Sequence, residues 1–143
     1  MASFCPFSLG EDIANGNVIF GTHSFKLMLV TSSYTASQAH DRRNDVEGAE
    51  VSGTGYTAGG IAITCTVSRV NGVTSLTWSS PTWASPVSGF TARRGWIYRT
   101  RGGASSADEL VACLDFGAGV AANGTSFTVS VTSASTMTVP TGT

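Results

Sequence analysis

The sequence predicts an all-β domain of about seven or eight strands, preceded by one short helix. Three observations carry this. Segments with a two-residue hydrophobic period recur along the chain, glycine and Asn-Gly turn signals separate them, and charge gives way to Ser and Thr. Of 143 residues, 41% are hydrophobic and only 12% charged, while Ser and Thr contribute 19 each and Gly 17. The charged share is half the usual value of about 25%. Thr favours strands, and Gly marks tight turns and bulges. One domain over 1–143 is expected, with 1–22 as an N-terminal arm holding the helix and 125–143 as a C-terminal strand and tail. A chain of this length buries about 70% of its unfolded surface, enough for a core without metal or disulfide.

The first 15 residues hold the helix signal. Pro6 suits a first turn, Ser8 and Glu11 have the spacing of a capping box, and Asn15-Gly16 supplies the stop. Phe4, Phe7, Leu9 and Ile13 are expected on one apolar face. In SFKLMLVT (24–31), Phe25, Leu27 and Leu29 alternate with Lys26, Met28 and Val30, so both faces of this strand are expected to be covered. Residues 32–50, SSYTASQAHDRRNDVEGAE, are polar and irregular, with room for one helical turn. GTGYTAGG (53–60) has four glycines in eight residues and forms a turn or bulge system.

IAITCTVSRV (61–70) reads as one strand with Ile61, Ile63, Cys65 and Val67 on one face. Asn71-Gly72 joins it to VTSLTW (73–78) as a two-residue hairpin. Pro81 and Pro86 break the region around Trp83. FTARRGWIYRTR (90–101) is the next strand, ended by Gly102-Gly103. DELVACLDFG (108–117) follows, with Leu110, Ala112, Leu114 and Phe116 on one side. Asn123-Gly124 then turns the chain into a last strand where Phe127, Val129 and Val131 point one way. This order excludes a βαβ fold and leaves a sandwich, jelly roll or barrel.

Eight basic against nine acidic residues give a net charge of −1, with one lysine, Lys26, and seven arginines. That balance argues against nucleic acid or an anionic membrane as partner. No apolar run approaches a membrane span, and MASFCPFSLGED lacks the basic and apolar regions of a signal peptide. Cys5, Cys65 and Cys113 are odd in number and lack CxxC or Cys/His spacing. Three reduced thiols in a reducing cytoplasm are therefore expected, with no metal and no cofactor. His40 lies beside Asp41, but neither it nor His23 accompanies a GxSxG elbow, HExxH, P-loop or dinucleotide fingerprint, so no enzyme is expected. Asp41, Asp45, Glu47 and Glu50 lack EF-hand spacing and interleave with Arg42 and Arg43. That favours charge pairs, within the chain or with a neighbouring subunit, over calcium. Asn123-Gly124-Thr125 fits a glycosylation sequon but reads better as a hairpin turn.

The densest constellation is RRGWIYRTR (93–101). On a strand, Arg93, Ile97, Arg99 and Arg101 share one face and Arg94, Trp96 and Tyr98 the other. Such a set suits stacking on single-stranded nucleic acid, which the acidic balance opposes. It also suits a protein interface, where Trp, Tyr and Arg supply most of the energy. The third reading is an amphipathic strand whose Trp and Tyr fill the core, and it is compatible with arginines outside that meet a partner.

Taken in order, FKLMLVTSSYT (25–35), His40 with Arg43 and Asp45-Val46, VSGTGYTAGG (51–60), FTARRGWIYRT (90–100) and LVACLDFGA (110–118) resemble a family of small virion proteins of tailed bacteriophages. Its members are labelled capsid decoration, cement or tail-fibre-like proteins. FSLGEDIANG (7–16) also resembles the opening of that family. The likeness spans most of residues 4–131; FKLMLVTSSYT and GTGYTAGG are specific together, and LDFGA alone is weak.

The resemblance implies a jelly-roll β-sandwich made in the bacterial host cytoplasm and carried on the outer capsid surface of the virion. There it would clamp adjacent major-capsid subunits as a homodimer or other symmetric oligomer. Two segments depart from the pattern: Arg93-Arg94-Gly95-Trp96 replaces small and aliphatic residues, and the chain after Phe127 is longer and richer in Ser and Thr. The implied contacts are Tyr34, His40, Arg42, Arg43, Asp45, Glu47 and Tyr56 from the loop and turn, with Arg93, Arg94, Arg99 and Arg101 from the strand. Replacing Arg99 and Arg101 by Ala is expected to weaken attachment and leave the fold intact. The alternative is a tail or fibre component binding a host receptor or carbohydrate. An exposed Trp78, Trp83 or Trp96 would favour it, although no fibre-like repeat or heptad is visible.

Overall fold

The computed structural model describes residues 2–131 and, as backbone only, 135–137. Its elements are helix α1 (Leu9–Ala14) and strands β1 (Phe25–Val30), β2 (Ile61–Ile63), β3 (Cys65–Val70), β4 (Val73–Trp78), β5 (Thr82–Trp83), β6 (Ser88–Arg99), β7 (Leu110–Asn123), β8 (Phe127–Thr128) and β9 (Ser135–Met137). The strands form antiparallel sheets ordered β2-β1-β6-β7, β3-β4-β9 and β5-β8. Strand is the dominant regular structure among the described residues, and the fold is all-β with one short helix, consistent with a sandwich.

β1 lies between β2 and β6, and its alternating apolar residues fill both faces. Leu27, Met28, Leu29 and Val30 are all fully buried. Each such side chain contributes about 1.5–3 kcal/mol of transfer free energy. Phe25, Leu27 and Leu29 enter one cluster with Trp78, Trp83, Ile97 and Phe127, so side chains from all three sheets meet there. Aromatic rings bridge the layers, with Phe25 edge-on to Trp78 at 5.2 Å and Phe90 against Phe127 at 5.5 Å. Met28 and Val30 point the other way, into a second cluster with Trp96, Tyr98, Leu110 and Cys113. The loop after β1 closes this cluster with Tyr34 and Val46, and Phe4 stands edge-on to Trp96 at 5.6 Å. That loop holds two 3-10 turns, Arg43–Asp45 and Glu47–Ala49, where one helical turn was expected.

Several sequence expectations are corrected. Ser8 makes no side-chain cap bond. Its backbone is already helical (φ −70, ψ −18), whereas a capping hydroxyl needs extended backbone. Gly16, at φ +72, does end the helix region. The expected apolar face divides: Leu9 and Ile13 join the first cluster, Phe4 the second, and Phe7 is 74% exposed. The strand expected over 61–70 changes sheets at Thr64, because Ile61–Ile63 pairs with β1 and Cys65–Val70 with β4. Ile61, Ile63 and Cys65 pack on the first cluster, but Val67 is exposed. The Asn71-Gly72 hairpin forms as expected, with Val70 opposite Val73 and both turn residues at positive φ, 49° and 79°.

On β7, Ile97 faces Ala112 while Tyr98 faces Leu110, so Val111 is an extra residue in a bulge. Leu110 therefore turns into the second cluster, and Val111, Ala112, Leu114 and Phe116 pack on the first. The strand continues past Phe116 to Asn123, with a second irregularity near Gly117 at φ +79. Asn123-Gly124 turns the chain without making a hairpin, since β8 pairs with β5. Phe127 and Val129 are buried and Val131 packs beside them, as expected. Of the expected C-terminal tail, residues 132–134 and 138–143 lie outside the described residues.

The three cysteines are free, with Cys5 exposed, Cys65 half-buried and Cys113 buried. Burial pushes the Cys113 thiol up to about 11. Because the thiolate is the nucleophile, native-state alkylation should label Cys5 first and Cys113 only after unfolding. Peptide mass spectrometry checks the order, and recovery of a linked Cys65–Cys113 peptide would contradict three free thiols.

Candidate functional site

The polar constellation forms where β6 leaves the sheet and β7 enters it. Chain reversal there sets Arg99 and Arg101 against Asp108 and Glu109, and the loop after β1 is sewn onto the same place. The Arg99 backbone N–H donates to the Glu109 carbonyl at 2.8 Å. The Arg99 guanidinium lies 3.9 Å from a Glu109 carboxylate oxygen and donates to the Asn17 carbonyl. Arg101 forks onto Glu109, with Nε 3.1 and 3.2 Å from the two carboxylate oxygens. Asp108 accepts the Arg101 backbone N–H and Arg43 Nε, each at 2.8 Å. Arg43 also reaches Glu47 at 3.2 Å and lies over the Tyr98 ring. Glu47 accepts the Ser105 hydroxyl at 2.8 Å.

Arg42 extends this belt to the helix, donating to Asp12 at 3.1 Å. Asp45 accepts the backbone N–H groups of Asp41 and Arg42 at 3.0 and 3.1 Å, which fixes the 3-10 turn. Asp12, Asp108 and Glu109 are buried, so their charges depend on these partners.

A separate pair of cations meets β7 elsewhere. Arg93 and Arg94 both reach Asp115, Arg94 at 3.1 Å. The Arg93 hydrogen bond, then the Gly117 N–H, holds the Asp115 carboxyl down at about 2. Tyr34 is buried beneath the loop, edge-on to Trp96, with its hydroxyl 2.9 Å from His40 Nδ1. Tyr56 stacks on Trp83 at 5.6 Å. Its hydroxyl accepts the Leu29 N–H at 3.0 Å and donates to Glu50 at 2.7 Å. Glu50 also accepts the Gly59 N–H at 2.6 Å, and the Tyr98 hydroxyl donates to the Gly59 carbonyl at 2.6 Å. These bonds fasten the glycine-rich turn to the edge of β1.

The structure thus brings Arg42, Arg43, Asp45, Glu47, Arg99 and Arg101 into one belt. It places Arg93 and Arg94 apart from it, at Asp115, and gives Tyr34, His40 and Tyr56 internal roles. Two expectations change. Tyr34 and Arg94 are buried in their own chain and offer no surface to a partner. Arg99 and Arg101 neutralise a buried carboxylate, so their removal is not a surface change.

Sequence reasoning did not single out the counterions Asp12, Asp108, Glu109 and Asp115. The near equality of eight basic and nine acidic residues was the available signal that charge is spent internally. The sequence reading also put Phe7 on one apolar face with Phe4, Leu9 and Ile13. Phe7 stands in solvent, held by its N–H to the Gln38 carbonyl at 2.9 Å, while Gln38 Nε2 donates to the Cys5 carbonyl at 3.1 Å. Ile19, Val67, Val70, Val73 and Val120 are the other exposed large apolar side chains among the described residues.

The remaining chemistry is sparse. Trp78, Trp83 and Trp96 are 7%, 3% and 0% exposed, so none offers an indole face for a sugar to stack on. A groove of about 370 Å³ opens beside Trp78, Ile97, Leu114, Phe116, Phe127 and Val129. Its carboxylate, Asp115, is committed to Arg93 and Arg94. His23 Nδ1 accepts the Ile19 N–H at 3.0 Å and His40 meets Tyr34; among the described residues neither imidazole hydrogen-bonds a serine. No group of three or more His, Cys, Asp or Glu among those residues is placed to hold a metal ion.

Fold and surface together define an all-β antiparallel protein whose arginines are largely paired within the chain and which exposes several large apolar side chains. Comparison with protein families, characterised proteins and solved structures gives no match.

Proposed function

We propose that the protein is a structural virion component that binds the outside of an icosahedral phage head and cements adjacent major-capsid subunits, as a symmetric oligomer. The observation that carries this reading is where the segments behind the family resemblance lie. They are β1 with its following loop, the glycine-rich turn, β6 and β7, and in the fold these are one continuous sheet with the two loops that cover it. The likeness therefore follows a structural unit. A cement protein needs area more than chemistry, since specific interfaces bury about 1,200–2,000 Å² and repetition over a shell multiplies a modest energy. Internal pairing of the arginines suits this role, because an interface made from neutral and apolar groups has little charge to desolvate. Phe7 is the strongest anchor available, being an aromatic ring and the most exposed large apolar side chain among the described residues, on a backbone tied to Gln38.

The test is co-sedimentation of the purified protein with heads that lack it, followed by thermal challenge. Binding should raise the temperature at which heads break, since a ligand of the assembled lattice stabilises it by mass action. Phe7→Ala should weaken attachment by about tenfold or more while leaving the unfolding midpoint unchanged. Attachment to tails or host cells instead of heads would replace this reading with that of a fibre-associated, receptor- or carbohydrate-binding component.

A further inference from the structure

We propose that Asn71 is a site of spontaneous deamidation, which converts the β3–β4 hairpin tip from a neutral amide to a carboxylate. The sequence has three Asn-Gly pairs, at 15–16, 71–72 and 123–124. Glycine after asparagine leaves the following amide nitrogen unshielded, so each pair is chemically competent. The fold separates them by what it does with that nitrogen.

Gly16 N–H is bonded to the Ile13 carbonyl at 3.1 Å and Gly124 N–H to the Val87 carbonyl at 2.8 Å. Asn15 is also held by its own N–H to Glu11, and Asn123 Oδ1 accepts the Thr125 hydroxyl at 2.7 Å. At 71–72 neither restraint exists. Among the described residues, no hydrogen bond holds the Gly72 N–H or the Asn71 side chain. The space around Gly72 is open, as it is around Gly16 and Gly124, so what separates the three sites is the hydrogen bonding and not access. Residues 66–73 are all exposed, so little packing opposes local opening of the tip.

The chemistry needs only water and a solvent base. The Gly72 amide nitrogen loses its proton to the base and bonds to Asn71 Cγ. The Cγ–Nδ2 bond breaks, and ammonia leaves with a proton from solvent, closing a five-membered succinimide. Water then cleaves either of the two ring C–N bonds, and no redox change occurs. Cleavage at Cγ gives aspartate. Cleavage at the backbone carbonyl gives isoaspartate, whose main chain runs through Cβ and Cγ and is one methylene longer. A two-residue loop with positive φ at both positions has no room for that atom, so the product frays the Val70–Val73 closure. This reaction does not depend on what the protein binds.

The experiment incubates the folded full-length chain at mildly alkaline pH in ¹⁸O-labelled water and follows tryptic peptides by mass. The peptide 70–93 contains Asn71 as its sole Asn or Gln, so heavy oxygen gained there reports this site. Asn71 should convert at least about tenfold faster than Asn15 and Asn123 in the folded chain, and the three rates should converge in denaturant. Asn71→Gly keeps a turn-favouring Gly-Gly pair and should abolish the label in that peptide. Equal folded-state rates at the three sites would overturn the proposal. So would an Asn71 that stays intact when folded but converts in denaturant.

Discussion

Gly60→Ala should cost at least about 3 kcal/mol of folding stability, a large part of the roughly 5–15 kcal/mol a domain possesses. Gly60 stands at φ +76, and a Cβ there would lie 1.8 Å from the Leu27 carbonyl oxygen and 2.7 Å from Met28 Cα. Those atoms belong to the backbone of β1, which is paired on one side with β2 and on the other with β6. They cannot retreat without moving the sheet. Two controls separate close approach from backbone conformation. Gly72→Ala has a similar φ, +79, but open space, and should lose only about 1–2 kcal/mol. Gly10→Ala, within α1 and also open, should be neutral or gain up to about 1 kcal/mol. Urea unfolding midpoints at constant slope rank the three. A Gly60 variant no weaker than the Gly72 variant would mean that the approach of the turn to β1 is not a constraint.

That constraint was partly legible in the sequence. Four glycines in eight residues announced a turn system, and Gly55, Gly59 and Gly60 do adopt positive φ. The sequence could not say which glycine touches a neighbouring strand, because that strand lies about 30 residues earlier. The same division holds elsewhere. Local periodicity identified β1 as covered on both faces, and Asn71-Gly72 identified a hairpin, because each signal is contained in a few adjacent residues. The sheet switch at Thr64 was invisible, since IAITCTVSRV keeps its alternation across the break and only its partners change. The bulge at Val111 hid for a related reason, as one extra residue reverses the facing of Leu110 without disturbing the pattern that follows. The second half of β7, GAGVAAN, has little strand propensity of its own and is a strand because β6 pairs with it. In the candidate site, the arginines were legible as a cluster, but their role was not. Whether a guanidinium faces solvent or a carboxylate depends on Asp12, Asp108, Glu109 and Asp115, which loop closure and strand pairing bring into range.

The double substitution Arg99→Ala/Arg101→Ala should therefore destabilise the chain by about 3–5 kcal/mol, the cost of leaving a buried charge without its partner. Glu109 has 3% of its side chain exposed and receives both guanidiniums. Arg101 is the more exposed cation, at 36% of its side chain, and forms the fork; Arg99 is 15% exposed and also satisfies the Asn17 carbonyl. Arg101→Ala alone leaves Glu109 with Arg99 and should cost about 1–2 kcal/mol, a value reduced by the solvent around Arg101. The double variant removes both cations and should exceed the sum of the two single losses, since the groups share one carboxylate. Adding Glu109→Gln to it should recover part of the loss by removing the uncompensated charge, while the helix-side contact through Asn17 stays broken. Denaturant unfolding of the two single variants, the double and the triple gives the coupling directly. Strict additivity, or a triple variant weaker than the double, would show that Glu109 does not draw its stability from these arginines. The outcome also decides how head-binding assays are read. A loss of attachment in the arginine double variant would report a loosened β6–β7 end, whereas the same loss in Phe7→Ala, with stability unchanged, would report the contact itself.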